Sequence, residues 1–161
     1  MKWMIVGTMF VLSECCLNRK QEMPDDFAFA FSFDFTEEYS SFSNTYRRSG
    51  CTIDYNDSVI SLKLTEDEKR RIYDVMLQEH LSIMPEYFDD DTTQPCIIPA
   101  SVDELTVRMN GVEKSYNYSH SCYPKNLFLA EKFERIVSEI VFILTHKKEV
   151  RDLPKSKLLI L

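Results

Sequence analysis

The sequence predicts an α+β domain in two layers, an antiparallel sheet of about five strands in the order β-β-β-α-β-β-α with two helices packed on one face. Three observations carry that expectation. Residues 27–35, FAFAFSFDF, alternate phenylalanine with small or polar residues at the period of a strand. Thr65 and Glu68 stand at capping-box spacing ahead of an apolar stripe of helical period. Asn110-Gly111, the strongest short hairpin signal, separates two alternating segments.

In the first strand Phe27, Phe29, Phe31, Phe33 and Phe35 share one face, and each contributes about 2 kcal/mol when fully buried. Ala28, Ala30 and Ser32 share the other. That flat face is a candidate partner surface if no helix covers it, and the strand's backbone is a second candidate if the strand lies at a sheet edge. The polar stretch TEEYSSFSN reads as a loop, extended character resumes at NTYRRSG, and SVISLKLT sets Ile60, Leu62 and Leu64 on one face. These three strands form an antiparallel meander.

The helix after Thr65 carries Ile72, Val75 and Met76 inward, with Leu77 and Leu81 alongside, and should stop before Met84-Pro85. Residues 86–101, EYFDDDTTQPCIIPAS, read as an irregular crossing loop. A hairpin from about Asp103 to Ser119 follows, its two-residue turn placing Met109 opposite Val112. Asn126 is a good N-cap for a second helix with Leu129, Phe133, Ile136, Val137, Ile140 and Leu144 on its stripe. His146, Lys147 and Lys148 suit the negative end of that helix's dipole.

Composition narrows the function classes. With 161 residues, 44% of them hydrophobic, the chain supports one domain with a real core. A net charge of −7 argues against nucleic-acid binding, which needs clustered cations. Three glycines leave no phosphate-cradling loop, and no cofactor is expected. His80, His120 and His146 have no Cys or His at ligand spacing, so no metal site is expected. Asp89, Asp90, Asp91, Thr92 and Thr93 offer oxygen ligands, but not at EF-hand spacing, and read as a solvated charge run. His120 and Cys122 are two apart in an extended stretch and point the same way, which disfavours a nucleophile pair. Without a catalytic constellation the chain reads as non-enzymatic. Tyr39, Phe42, Tyr46, Tyr55, Tyr116, Tyr118 and Tyr123 gather at strand ends and loops, either as a contact surface or packed with their hydroxyls at the domain edge.

The N-terminus places Lys2 before an apolar block from Trp3 to Leu12, the layout of a signal peptide and too short to span a bilayer as a helix. Leu12, Ser13, Glu14 and Cys15 resemble a bacterial lipobox, departing from it at Glu14, where a small residue is usual. The resemblance implies a lipoprotein signal over residues 1–14, an acylated Cys15, a polar tether over 15–26 and a single domain over 27–161. It also implies a membrane anchor through the N-terminal lipid, placing the protein in a bacterial cell envelope, on the periplasmic side or at the surface, beside an unidentified envelope partner.

An oxidising compartment makes disulfides possible for Cys51, Cys96 and Cys122, with Cys16 as a fourth candidate. Extending the hairpin register outward puts position 99 opposite Cys122, three residues from Cys96. Cys96 with Cys122 is therefore the first pairing to consider, and buried free thiols are the alternative.

The chain as a whole resembles small uncharacterised bacterial lipoproteins. The order TYRR, ISLKLTEDEKRRIYDVM, PEYF, LTVRMNG and a final amphipathic helix, over about residues 44–146, is also similar in layout to emfourin-type inhibitors of metallopeptidases. Glycines expected near the Arg-bearing strand are missing, and no inhibitory residue carries over. The sequence thus points to a lipid-anchored binding or assembly module, with a protease or hydrolase inhibitor as the alternative.

Overall fold

The computed structural model describes residues 21–33, 36–50, 57–88, 102–120 and 123–156. The fold is α+β. Six strands, β1 (Ala28–Phe33), β2 (Glu37–Ser40), β3 (Thr45–Arg48), β4 (Ser58–Ser61), β5 (Val102–Met109) and β6 (Val112–Ser119), form one antiparallel sheet in the order β4-β3-β2-β1-β5-β6.

The sheet has one strand more than expected, because the stretch read as a loop contains β2. Tyr39 is the single buried residue of that strand, pairing with Phe31 on one side and Tyr46 on the other. Its two glutamates are held across the ladder, Glu37 by Arg48 Nε at 2.6 Å and Glu38 by Arg47 Nη1 at 3.3 Å. A four-residue link, with Asn44 at a positive φ of 53°, then turns the chain directly into β3.

Helix α1 (Glu66–Gln78) opens on the expected capping box: Thr65 Oγ1 accepts the Glu68 N–H, and the Glu68 carboxylate accepts the Thr65 N–H. It ends at Gln78, five residues before the expected stop. His80 adopts a left-handed conformation (φ 60°), and a short 3-10 turn over Leu81–Ile83 follows, which buries Leu81. Helix α2 (Leu127–His146) is capped by Asn126, whose side-chain oxygen accepts the Leu129 N–H at 3.1 Å. A single turn, α3 (Lys148–Arg151), buries Val150.

Both long helices cover the phenylalanine face of the sheet. Phe27, Phe29 and Phe31 share one core with Tyr39, Tyr46, Leu105 and Tyr116 from the sheet, Ile72, Tyr73 and Met76 from α1, and Phe133, Ile136 and Ile140 from α2. The helices run antiparallel, since ion pairs couple rising positions along α1 and its C-cap Glu79 to falling ones along α2 and its C-cap Lys147: Glu68 to Lys147, Arg71 to Glu139, and Glu79 to Arg135. Burial pushes the Glu68 carboxyl upward, but the Lys147 ammonium and the Thr65 bonds outweigh it and leave the group below its ordinary value.

The stretch just before β1, read as the end of a tether, lies against the domain. The Gln21 carbonyl accepts a bond from Arg70, the Glu22 carbonyl accepts one from Tyr73, and Met23 packs on the core.

Candidate functional site: the open face of the sheet

Alternation along each strand sends every second side chain away from the helices. Ala28, Ala30 and Ser32 therefore sit together on the uncovered face of β1, half-buried by their neighbours. The condition for the other candidate, a strand at the sheet edge, is not met. β1 lies in the interior of the sheet, hydrogen-bonded to β2 and to β5, so its backbone has no free edge to offer. The outer strands are β4 and β6, and β6 is partly covered: the Asn117 N–H donates to the Glu86 carbonyl at 2.8 Å.

The register aligns the open-face residues into rows that cross the whole sheet. One row reads Ser61, Thr45, Ser40, Ala30, Thr106, Ser115 from β4 to β6, five hydroxyls and a methyl group. Six strands at the usual spacing make this row about 24 Å long. Thr106 Oγ1 and Ser115 Oγ share a hydrogen bond at 2.7 Å, as do Ser43 and Thr45 at 2.6 Å. The next row reads Val59, Arg47, Glu38, Ser32, Glu104, Asn117, and brings charge beside the hydroxyls.

Because the central residues are small and those around them longer, the face is dished. A shallow depression of about 370 Å³ centres on Ala30, Ser32, Ser40 and Thr106, with Glu38, Arg47 and Glu104 at its rim. The rim charges are held in place. Arg47 donates to Asp57 through Nε at 2.8 Å and Nη2 at 2.5 Å. The same bonds hold the Asp57 carboxyl below its usual range, with the Gly50 N–H contributing next. On the other side Arg108 donates to Glu113 at 2.6 Å and stacks over the Phe42 ring, 4.7 Å from its centroid. Along the strands the open face thus carries Glu38, Glu104 and Glu113 against Arg47 and Arg108, with Asp57 seated on Arg47, a small excess of negative charge.

The remaining sequence-derived candidates fall elsewhere. Cys15, Cys51, Cys96, Cys122, Tyr55 and the run Asp89 to Thr93 lie outside the described residues. Among the described residues no group of three His, Cys, Asp or Glu side chains converges as a metal site, and no helix is long and apolar enough to cross a membrane. Tyr39, Tyr46, Tyr116 and Tyr118 are core residues rather than a contact surface, whereas Tyr123 is exposed.

Sequence reasoning missed two polar pairs at the margin of the core. Asp103, 6% exposed, meets His120 Nε2 at 2.8 Å, and Tyr118 lies edge-on to the His120 ring while donating to Glu134. Asp103 and His120 flank the Val102–Ser119 end of the hairpin, so their proximity was implicit in the Asn110-Gly111 register. Glu79, equally buried, accepts two bonds from Arg135 at 2.9 and 2.8 Å. Nothing local in the sequence signals that pair.

A scan against family models finds no match to this chain, and a search of curated proteins finds no significant one.

Proposed function

We propose that this chain is a non-enzymatic binding module of the cell envelope, anchored through a lipid on Cys15, whose protein partner docks on the open face of the sheet. The observation that carries the reading is the uncovered row from Ser61 to Ser115, with its depression at Ala30. A face left bare across six strands, floored by small residues and rimmed by fixed charges, suits a partner surface that is low in relief and rich in hydrogen-bonding groups. The excess of carboxylate favours a basic partner. The anchor and location rest on the layout of residues 1–15.

The test is a photoreactive phenylalanine analogue at position 30 of the full chain in its own envelope, with the same probe at exposed Glu131 as control. A single adduct at position 30 is expected, competed by added wild-type chain and not by a folded Ala30→Arg, Thr106→Arg variant. Equal competition by that variant removes the open face from the reading. Inhibition of a metallopeptidase that survives both substitutions points instead to the inhibitor alternative.

A further inference from the structure

On the helix side of the sheet, away from the open face, a second depression of about 430 Å³ lies where the ends of β2 and β3 meet the end of α2, α3 and the segment after it. Its wall is built around Arg48. Arg48 Nε donates to one oxygen of Glu37 at 2.6 Å, and the Tyr46 hydroxyl donates to the other. Arg48 Nη1 lies 3.3 to 3.4 Å from the carbonyl oxygens of Val150, Leu153 and Pro154, and so holds the segment after α3 against the sheet. Glu37 and Arg48 cancel in charge and make a stiff floor.

Two further cations, Arg151 and Lys155, line the same depression. Both are exposed, and among the described residues neither makes an ion pair. Glu149 and Asp152, their acidic neighbours along the chain, do not line it. Thr36 and Ser156 add hydroxyl side chains to its wall. In a chain of net charge −7, whose other described arginines each pair with a carboxylate, this is a local reversal of sign.

We infer that this depression is a binding site for a phosphate group carried on a larger molecule. A guanidinium offers a planar pair of donors that matches phosphate oxygens, a lysine adds a mobile point charge, and hydroxyls complete the donor set. The volume exceeds that of a lone phosphate and leaves room for the group to which it is esterified. That group is either a soluble phosphate ester or the headgroup of an anionic phospholipid, which present the same chemistry to Arg151 and Lys155. The site stands independently of the open-face reading, because it shares no residue with the row through Ala30.

The experiment follows amide shifts of the isotope-labelled full chain on adding inorganic phosphate to about 10 mM, tenfold above a millimolar Kd. In parallel it measures binding to phosphatidylglycerol vesicles against phosphatidylcholine vesicles. Saturable shifts are expected at Thr36, Arg151 and Lys155, weakened about tenfold or more in Arg151→Ala, Lys155→Ala and unchanged in Lys63→Ala. A preference for phosphatidylglycerol that the double variant loses assigns the phosphate to a lipid headgroup, and phosphate binding without that preference assigns it to a soluble ester. Shifts that do not saturate, or that the double variant leaves intact, together with no variant-sensitive vesicle preference, overturn the site.

Discussion

The carboxylate of Asp26 accepts the backbone N–H of Gly111 at 2.6 Å and, through its other oxygen, that of Asn110 at 2.8 Å. Asn110 and Gly111 both have positive φ, 54° and 73°, as a tight hairpin turn of this kind requires, and their N–H groups form a small concave donor pair. The chain segment entering the sheet thus caps the hairpin that ends β5. These N–H groups, Gly111 first and Asn110 second, hold the Asp26 carboxyl below its ordinary value. A lowered folded value means that the interaction is present above the ordinary aspartate pKa and is lost as pH falls through the folded one. The Asn110 and Gly111 amide signals should therefore titrate together, with a midpoint below the usual aspartate range, and Asp26→Asn should abolish that step.

Glu79 and Arg135 join the end of α1 to the first half of α2 by two charge-assisted bonds. Arg135→Ala leaves the Glu79 carboxylate without its two donors, and should lower the midpoint of denaturant unfolding. In the wild type the guanidinium holds the Glu79 carboxyl low, ahead of the opposing effect of burial. Its contribution is present above the ordinary glutamate value and fades as pH falls through the folded one. Glu79→Gln should consequently flatten the loss of stability on acidification, and a difference unchanged between pH 7 and pH 3 would contradict the pair's role.

The two faces of β1 should respond in opposite ways to substitution. Phe31 is essentially inaccessible and packs between Tyr39 and Leu105, so Phe31→Ala should cost about 3 to 5 kcal/mol. One residue earlier, Ala30→Ser adds a hydroxyl to a row that already holds five and should change stability by less than about 0.5 kcal/mol. Chemical denaturation of the two variants decides the matter, and a comparable loss in both would mean that the open face is covered.

Burial pushes the Tyr39 hydroxyl up to about 12, ahead of smaller effects from the Leu64 backbone and Glu68. A folded value above the unfolded one contributes stability that is complete below about pH 10 and lost as pH rises from there through 12. Two units correspond to about 3 kcal/mol. Absorbance of tyrosinate should therefore rise together with unfolding above pH 10, and Tyr39→Phe should remain folded to higher pH than the wild type.

The elements with local chemical signals were legible in the sequence. Thr65 and Glu68 marked one helix start, Asn126 the other, and Asn110-Gly111 fixed Met109 opposite Val112, the pairing found in the structure. β2 was hidden because its one apolar residue, Tyr39, follows two glutamates that only cross-strand arginines make acceptable in a strand. The early end of α1 was hidden too, since neither glycine nor proline marks it and Leu81 continues the apolar stripe. Of the candidate site, the flat face of β1 could be read from alternation alone. The hydroxyl row could not, because Thr45, Ser61, Thr106 and Ser115 come from strands up to 70 residues apart and are aligned only by the register.

The central position of β1 also sets an order of assembly. Its ladder with β2 closes over a few residues, but the opposite side of the strand is completed by β5, whose Val107 pairs with Phe29. Until the chain has extended through Met109, the segment AFAFSF, uncharged, free of proline and alternating in phenylalanine, presents an unsatisfied strand edge of the kind that templates aggregation. Such distant pairing is slow to form because a long loop must close first. The most hazardous stretch of the molecule is thus sealed only by a late partner, and yield on refolding should depend on chain concentration more steeply than the size of the domain suggests.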